Sequence, residues 1–353
     1  MKKIQIFLIA SFLSTSLISV AQDEVNIGDS TSLEDMKALE VYNIGITKFN
    51  EKDFSTAIIY FDSAITISPN YEKAYFDRGS AKYQLKDYEN AITDFSKSIE
   101  LNPDSSQAFY LRGRSHETLK NNEAALADYA NEVKLNPNNA EAHYYKGGIN
   151  YQIGKYNEAI QDYSNAIKHK SDYAYAYNDR GSAKRQIKDL SGAINDYTKA
   201  TLIDKSLAFV YNNLGSALRN NKQYEKAIEN YNKAIQLKTD YYIAYTNRGL
   251  AKFELKNFKS AIEDYSKAIQ LEANYAYAFN NRSAAKYQLK DYKGAVEDCD
   301  KAIILDQEYA EAYLNRGIAK EMLRDQDGAC KDWNKAASLG LRNGKSFVQQ
   351  SCN

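Results

Sequence analysis

The residues able to carry charge chemistry in this chain come in fixed partnerships. Basic residues stand at Arg78, Arg112, Lys146, Arg180, Arg248, Arg282 and Arg316, and sixteen residues after each comes Asp94, Asp128, Asp162, Asp196, Asp264, Asp298 or Asp332. At two places in the series both members are missing together, as Ile44 with Tyr60 and Leu214 with Asn230. Pairing each aspartate with the next basic residue instead would leave Asp196 facing Leu214 and Arg248 facing Asn230. The joint loss therefore predicts ion pairs within a unit, each worth up to about 1 kcal/mol when partly exposed. That chemistry is structural, and little else could react. His116, His143 and His169 lack metal-ligand spacing. No nucleophile motif is present and no Gly-rich phosphate loop precedes a helix. No catalytic residue, metal or cofactor is assigned.

The elements that place these charges are repeated. Gly45, Gly79, Gly113, Gly147, Gly181, Gly215, Gly249, Ser283 and Gly317 lie 34 residues apart, and an alanine follows each of them after twelve residues, from Ala57 to Ala329. With the small residue as position 8, nine repeats begin at Ala38 and end at Asn343 without insertion. Within a repeat, apolar residues recur at three- and four-residue intervals in two bursts, such as Ala74, Tyr75, Ala81, Tyr83 and then Ala91, Ile92, Phe95, Ile99. That is the period of amphipathic helices, so each repeat is read as a helical hairpin. Small residues at positions 8 and 20 allow the two helices to approach closely. Pro69, Pro103 and Pro137 stop the second helix at position 32 of repeats one to three. From repeat four onward no proline stands there, and the turn between repeats is expected to rest on packing.

A 34-residue hairpin with this Gly, Ala and aromatic pattern resembles the tetratricopeptide repeat (TPR) over residues 38–343. The resemblance implies an all-α, right-handed superhelical solenoid, first helices lining a concave groove and second helices forming the outer wall. Such a stack is held by nearest-neighbour interfaces. Residues 344–353 keep the frame, with Phe347 at the aromatic position 4, and read as a C-terminal capping half-repeat. Cys299 stands at position 24, otherwise aromatic, and reads as a buried thiol. Cys330 and Cys352 are a candidate disulfide closing a loop of about twenty residues, worth roughly 3 kcal/mol, against the competing reading of two unpaired core thiols.

The start of the chain has the basic, apolar and small-residue parts of a secretory signal: Lys2-Lys3, an apolar stretch from Ile4 to Val20, then Ser19-Val20-Ala21. A signal peptide over 1–21 and an acidic linker over 22–37 follow from that pattern, with a periplasmic or secreted protein and no membrane span after cleavage. Lys plus Arg equals Asp plus Glu at 46 each; removal of Lys2 and Lys3 with the leader leaves 44 basic residues and a net charge of −2. That balance offers no basic field to nucleic acid.

The resemblance turns positions 2, 5, 6, 9, 12 and 13 of the first helices toward the groove. Position 5 runs from Tyr42, Phe76, Tyr110 and Tyr144 to Asn178, Asn212, Thr246 and Asn280, and position 6 carries Asn43, Asn213, Asn247, Asn281 and Asn315. Amides offer donors and an acceptor to an extended peptide backbone or to sugar hydroxyls. The Lys and Asn of the familiar TPR carboxylate clamp are absent from positions 5 and 9. The reading is a non-enzymatic scaffold binding a protein or peptide in the groove; the alternatives are a carbohydrate-binding envelope protein and an architectural subunit using its convex face. One junction departs from the pattern. Glu132 replaces the small residue at position 27, and the next repeat carries His143 and Gly147-Gly148. Lys146 or His143 is expected to satisfy that carboxylate, and a hinge or polar site competes there with simple drift of the repeat.

Overall fold

The computed structural model describes residues 33–352; the proposed leader and most of the proposed linker lie outside them. Among the described residues there are nineteen helices and no strand. Eighteen form the nine hairpins, from Leu33–Asn50 with Phe54–Ile67 to Ala310–Met322 with Gln326–Ser338, and Arg342–Ser351 follows as a half-repeat. The first helix begins five residues ahead of Ala38. Glu34 and Asp35 in its first turn explain the extension, because carboxylates there meet the positive end of the helix dipole.

The glycine at position 8 exists for the ring at position 24. A Cβ on Gly45 would lie 2.6 Å from Phe61, one on Gly249 2.6 Å from Tyr265, and one on Gly317 2.4 Å from Trp333. Those rings are completely buried. In repeat eight the ring is replaced by Cys299, which leaves room for Ser283, and the Cys299 thiol lies 3.1 Å from the Ser283 hydroxyl. Burial pushes the Cys299 thiol up to about 12, so it is inert at neutral pH.

The turn inside each hairpin has one unusual residue. Position 15 adopts a left-handed conformation in every repeat: Lys52, Lys86, Lys120, Lys188, Lys222, Lys256, Lys290 and Arg324 have φ between 61° and 67°, and Gly154 has φ 81°. The left-handed residue lets the next amide close back onto the helix, as Asp87 N–H does on the Lys82 carbonyl at 2.9 Å. A side chain there costs roughly 1–2 kcal/mol, partly offset by a cation at the negative end of the helix dipole.

Three of the turns without proline add a side-chain hydrogen bond to packing. In repeats five, seven and eight the position-31 carboxylate accepts from a backbone N–H two residues on: Ser206 N–H to Asp204 Oδ1 (2.9 Å), Asn274 N–H to Glu272 Oε1 (3.3 Å) and Glu308 N–H to Asp306 Oδ1 (3.0 Å).

The chain divides into two compact bodies, one ending at Ile149 and one starting at Asn150. Within each, successive first helices touch: those of repeats one to three, and those of repeats five to nine. Among the described residues no two successive second helices approach to the same extent. First helices therefore form the inner wall of each body and second helices the outer one.

At the C-terminal end Phe347 stacks on Trp333 at 4.9 Å between ring centroids, and Gly344 admits the close approach of the Trp333 and Ala337 backbone. Cys330 and Cys352, 22 residues apart, are joined in a disulfide. Two outcomes are expected. Cys299→Tyr should destabilise by about 1–3 kcal/mol through overpacking, and adding Ser283→Gly should restore most of that loss in urea unfolding; additive effects would contradict the steric pairing. Reduction, or Cys330→Ser, should expose 342–352 to protease before the repeats unfold, because an end unit has only one neighbour; simultaneous digestion of cap and repeats would refute this.

Candidate functional site

The seven basic–acidic partnerships resolve into a more elaborate device than a pair. In six repeats the arginine at position 7 makes a two-pronged contact with the aspartate of its own hairpin. Arg248 donates from Nε to Asp264 Oδ2 at 3.0 Å and from Nη2 to Oδ1 at 2.6 Å, and Arg78–Asp94, Arg112–Asp128, Arg180–Asp196, Arg282–Asp298 and Arg316–Asp332 repeat this geometry. The remaining donor, Nη1, reaches position 25 of the preceding repeat: Asp62, Ser96, Ser164, Asn232, Ser266 or Asp300. Each guanidinium also lies over the position-4 ring of its own repeat at 5.3–5.6 Å, as Arg248 does over Tyr245. One arginine thus closes its hairpin and ties it to the one before.

The aspartates, 2–4% exposed, accept a second cation. Lys82, Lys184, Lys252, Lys286 and Lys320, at position 11, lie 2.7–2.9 Å from them. Sequence reasoning missed this lysine; its signal was partial, since Leu218 occupies position 11 in repeat six, which has lost the arginine and the aspartate, but repeat one, which has lost them too, keeps Lys48 there. In repeat three His116 stands 4.0 Å from Asp128, its protonation disfavoured by burial. In repeat four Asn150 donates to Asp162 at 2.8 Å; Lys146 is half-buried near the end of the N-terminal body.

The proposed groove residues separate into two roles. Tyr42, Tyr144, Asn178, Asn212 and Asn280 at position 5 are buried between repeats, and Phe76 and Tyr110 are half-buried. They are not an open aromatic and amide surface, because position 5 faces position 6 of the next first helix. Asn213 Nδ2 donates to Asn178 Oδ1 at 3.0 Å, Asn247 to Asn212 at 2.9 Å, and Asn315 to Asn280 at 2.9 Å. Tyr42 donates to Asp77 at 2.6 Å in the same register, and burial pushes that carboxyl up to about 7. Asn281 would need an amide at position 5 of repeat seven, finds Thr246, and donates instead to the Tyr277 carbonyl at 2.7 Å. Asn43, with no repeat before it, is exposed. The Oδ1 atoms of Asn213, Asn247 and Asn315 remain as acceptors on the inner wall.

Hydroxyls at position 24 pass from the second helix toward the same wall. Tyr129 donates to Glu117 Oε2 at 2.7 Å, Tyr197 lies 3.0 Å from Ser182 Oγ, and Tyr231 donates to Ser216 Oγ at 3.2 Å. In the N-terminal body Arg114 lies 3.7 Å above the Tyr145 ring and 3.4 Å from Glu117. Glu132, fully buried, takes its hydrogen bond from Asn139 Nδ2 at 2.5 Å, not from the expected Lys146 or His143. His143 Nε2 lies 3.0 Å from the Pro137 carbonyl.

Tetratricopeptide repeat models match residues 41–71, 72–105, 106–139, 174–207 and 242–275, and a further TPR repeat model matches 147–186 and 215–256. The chain belongs to the tetratricopeptide repeat family. No curated protein matches it. Among solved structures, a TPR protein from Parabacteroides merdae superposes with a TM-score of 0.58 at 16% identity, over 70% of this chain and 99% of that one. Pseudomonas aeruginosa PilF gives 0.53 at 22% identity, over 60% of this chain and 96% of that one. MamA is 29% identical over 46% of this chain and 96% of its own, with a TM-score of 0.45. The first two likenesses show the fold. In six repeats of this TPR chain the buried aspartate is the hub. Asp264→Asn should cost about 2–3 kcal/mol by leaving Arg248 and Lys252 uncompensated. Adding Arg248→Leu and Lys252→Leu, the composition of repeat six, should recover more than half of that in chemical denaturation; no recovery would show that the hub is not electrostatic.

Proposed function

We propose that this TPR chain is an exported, non-catalytic scaffold that holds an extended segment of a protein partner against the inner wall. The observation that carries the reading is the asymmetry of the amides. Asn213, Asn247 and Asn315 spend their Nδ2 on the preceding repeat and keep Oδ1 as an acceptor, the first two one repeat apart and the third two repeats further on, the complement of the N–H groups of an extended backbone. Position-13 amides extend the wall: Gln186 donates to Tyr151 of the repeat before at 3.2 Å, whereas Asn220 and Gln288 are exposed. Export is supported by the leader pattern in 1–21 and by the Cys330–Cys352 disulfide, which suits an oxidising compartment.

Affinity capture from the envelope of the cells that make it tests the reading. Asn220→Trp with Gln288→Trp fills the inner wall at exposed positions and should reduce partner recovery about tenfold or more. Lys226→Trp with Glu229→Trp, on an outer helix, should leave recovery unchanged. The opposite pattern would move the contact to the outer wall, and capture of glycan without protein would overturn the peptide assignment.

A further inference from the structure

Three arginines face the inner wall apart from the position-7 series, and the chain neutralises only one of them. Arg114 has Glu117 beside it and Tyr145 beneath it. Arg185 and Arg219, at position 12 of repeats five and six, are half-buried, and among the described residues neither lies in an ion pair. Position 12 in repeat three is the very Glu117 that serves Arg114. The two later repeats therefore place a guanidinium where the earlier one places a carboxylate.

Two buried polar atoms at this place have no partner. Arg219 Nε is one. The other is the hydroxyl of Tyr265, whose ring is completely buried. Its counterparts Tyr197 and Tyr231 meet Ser182 and Ser216 at position 9, but repeat seven has Leu250 there. Arg185 and Arg219 occupy the same position of adjacent first helices; Arg219 hydrogen-bonds the Tyr231 hydroxyl and acts electrostatically on Tyr265, and Arg185 acts on Tyr197 and Tyr231. Glu254 acts electrostatically on Tyr265 and Asp179 on Tyr197; Asp179 accepts from Asn178 at 2.8 Å. A desolvated donor without an acceptor costs free energy in the unliganded protein, and a guanidinium fork is matched in shape by a carboxylate.

We infer that Arg185 and Arg219, with the Tyr265 hydroxyl between repeats, form a subsite for carboxylate side chains, so that the segment bound by repeats five to seven is an acidic peptide. This rests on the inner-wall reading above and deepens it. A nucleic acid is disfavoured, because a phosphate backbone calls for a run of cations, and here two arginines are followed by the neutral amides of Asn213 and Asn247.

Fluorescence anisotropy of the mature protein with labelled oligoglutamate and oligoglutamine peptides of equal length tests the subsite. At low salt the parent should bind oligoglutamate at least about tenfold more tightly. Arg185→Gln with Arg219→Gln should abolish that preference, whereas Lys226→Gln with Lys233→Gln, the same charge loss on an outer helix, should preserve it. Equal affinity of the parent for the two peptides, or equal loss in the outer-helix control, would overturn the subsite. So would tighter binding of a single-stranded oligonucleotide than of oligoglutamate. Retained oligoglutamate preference in the arginine variant, with partner capture still lost on Asn220→Trp and Gln288→Trp, would dismiss the subsite and leave the inner-wall reading standing.

Discussion

The contact on which each hairpin depends is that of the position-24 ring with the bare backbone of position 8. Without a Cβ at Gly249, the Tyr265 ring lies flat on the facing helix and is wholly buried. That depth has a second consequence. A tyrosine so placed extends its hydroxyl beyond the first helix to the inner wall, where position 9 or 12 must receive it. The packing rule of the hairpin therefore dictates the polarity of the surface that meets a ligand. Repeat eight escapes the rule by giving up the ring for Cys299, and so tolerates Ser283.

The arginine at position 7 performs the corresponding task between hairpins. Its two-pronged contact with a buried aspartate fixes the guanidinium, and the fixed guanidinium presents Nη1 to the preceding repeat. Coupling between neighbours thus has a polar component of set geometry beside the apolar one. Repeat six replaces the whole set with Leu214, Leu218 and Asn230, which is the substitution expected when a buried ion network and an apolar cluster of similar volume are nearly equivalent in stability. After repeat nine the link is covalent: the Cys330–Cys352 disulfide ties down the half-repeat whose Phe347 covers Trp333.

The inner wall is shaped by the same economy of partners. Amides at positions 5 and 6 bond to each other across repeats, so much of what looked like binding capacity holds the stack together. On the inner wall of repeats five to seven the chain leaves unsatisfied the acceptors of a few asparagines, Arg219 Nε and the Tyr265 hydroxyl. Function in a repeat protein is written where its internal bookkeeping fails to close.

The sequence by itself determined the hairpin, its period and the Arg–Asp partnership, because a packing requirement met nine times leaves nine in-phase copies of the same residue types. Joint losses at Ile44/Tyr60 and Leu214/Asn230 even indicated which helices the charges join. Only the tertiary structure decided what the third donor of each arginine reaches, that Lys252 and its equivalents share the aspartate, and that Lys52 and its equivalents adopt positive φ. It also decided that Asn178, Asn212 and Asn280 are buried and Asn139 serves Glu132. These outcomes depend on the rotation and offset between adjacent hairpins. That relation is set by summed packing over many contacts, and no single residue type in a one-repeat window encodes it.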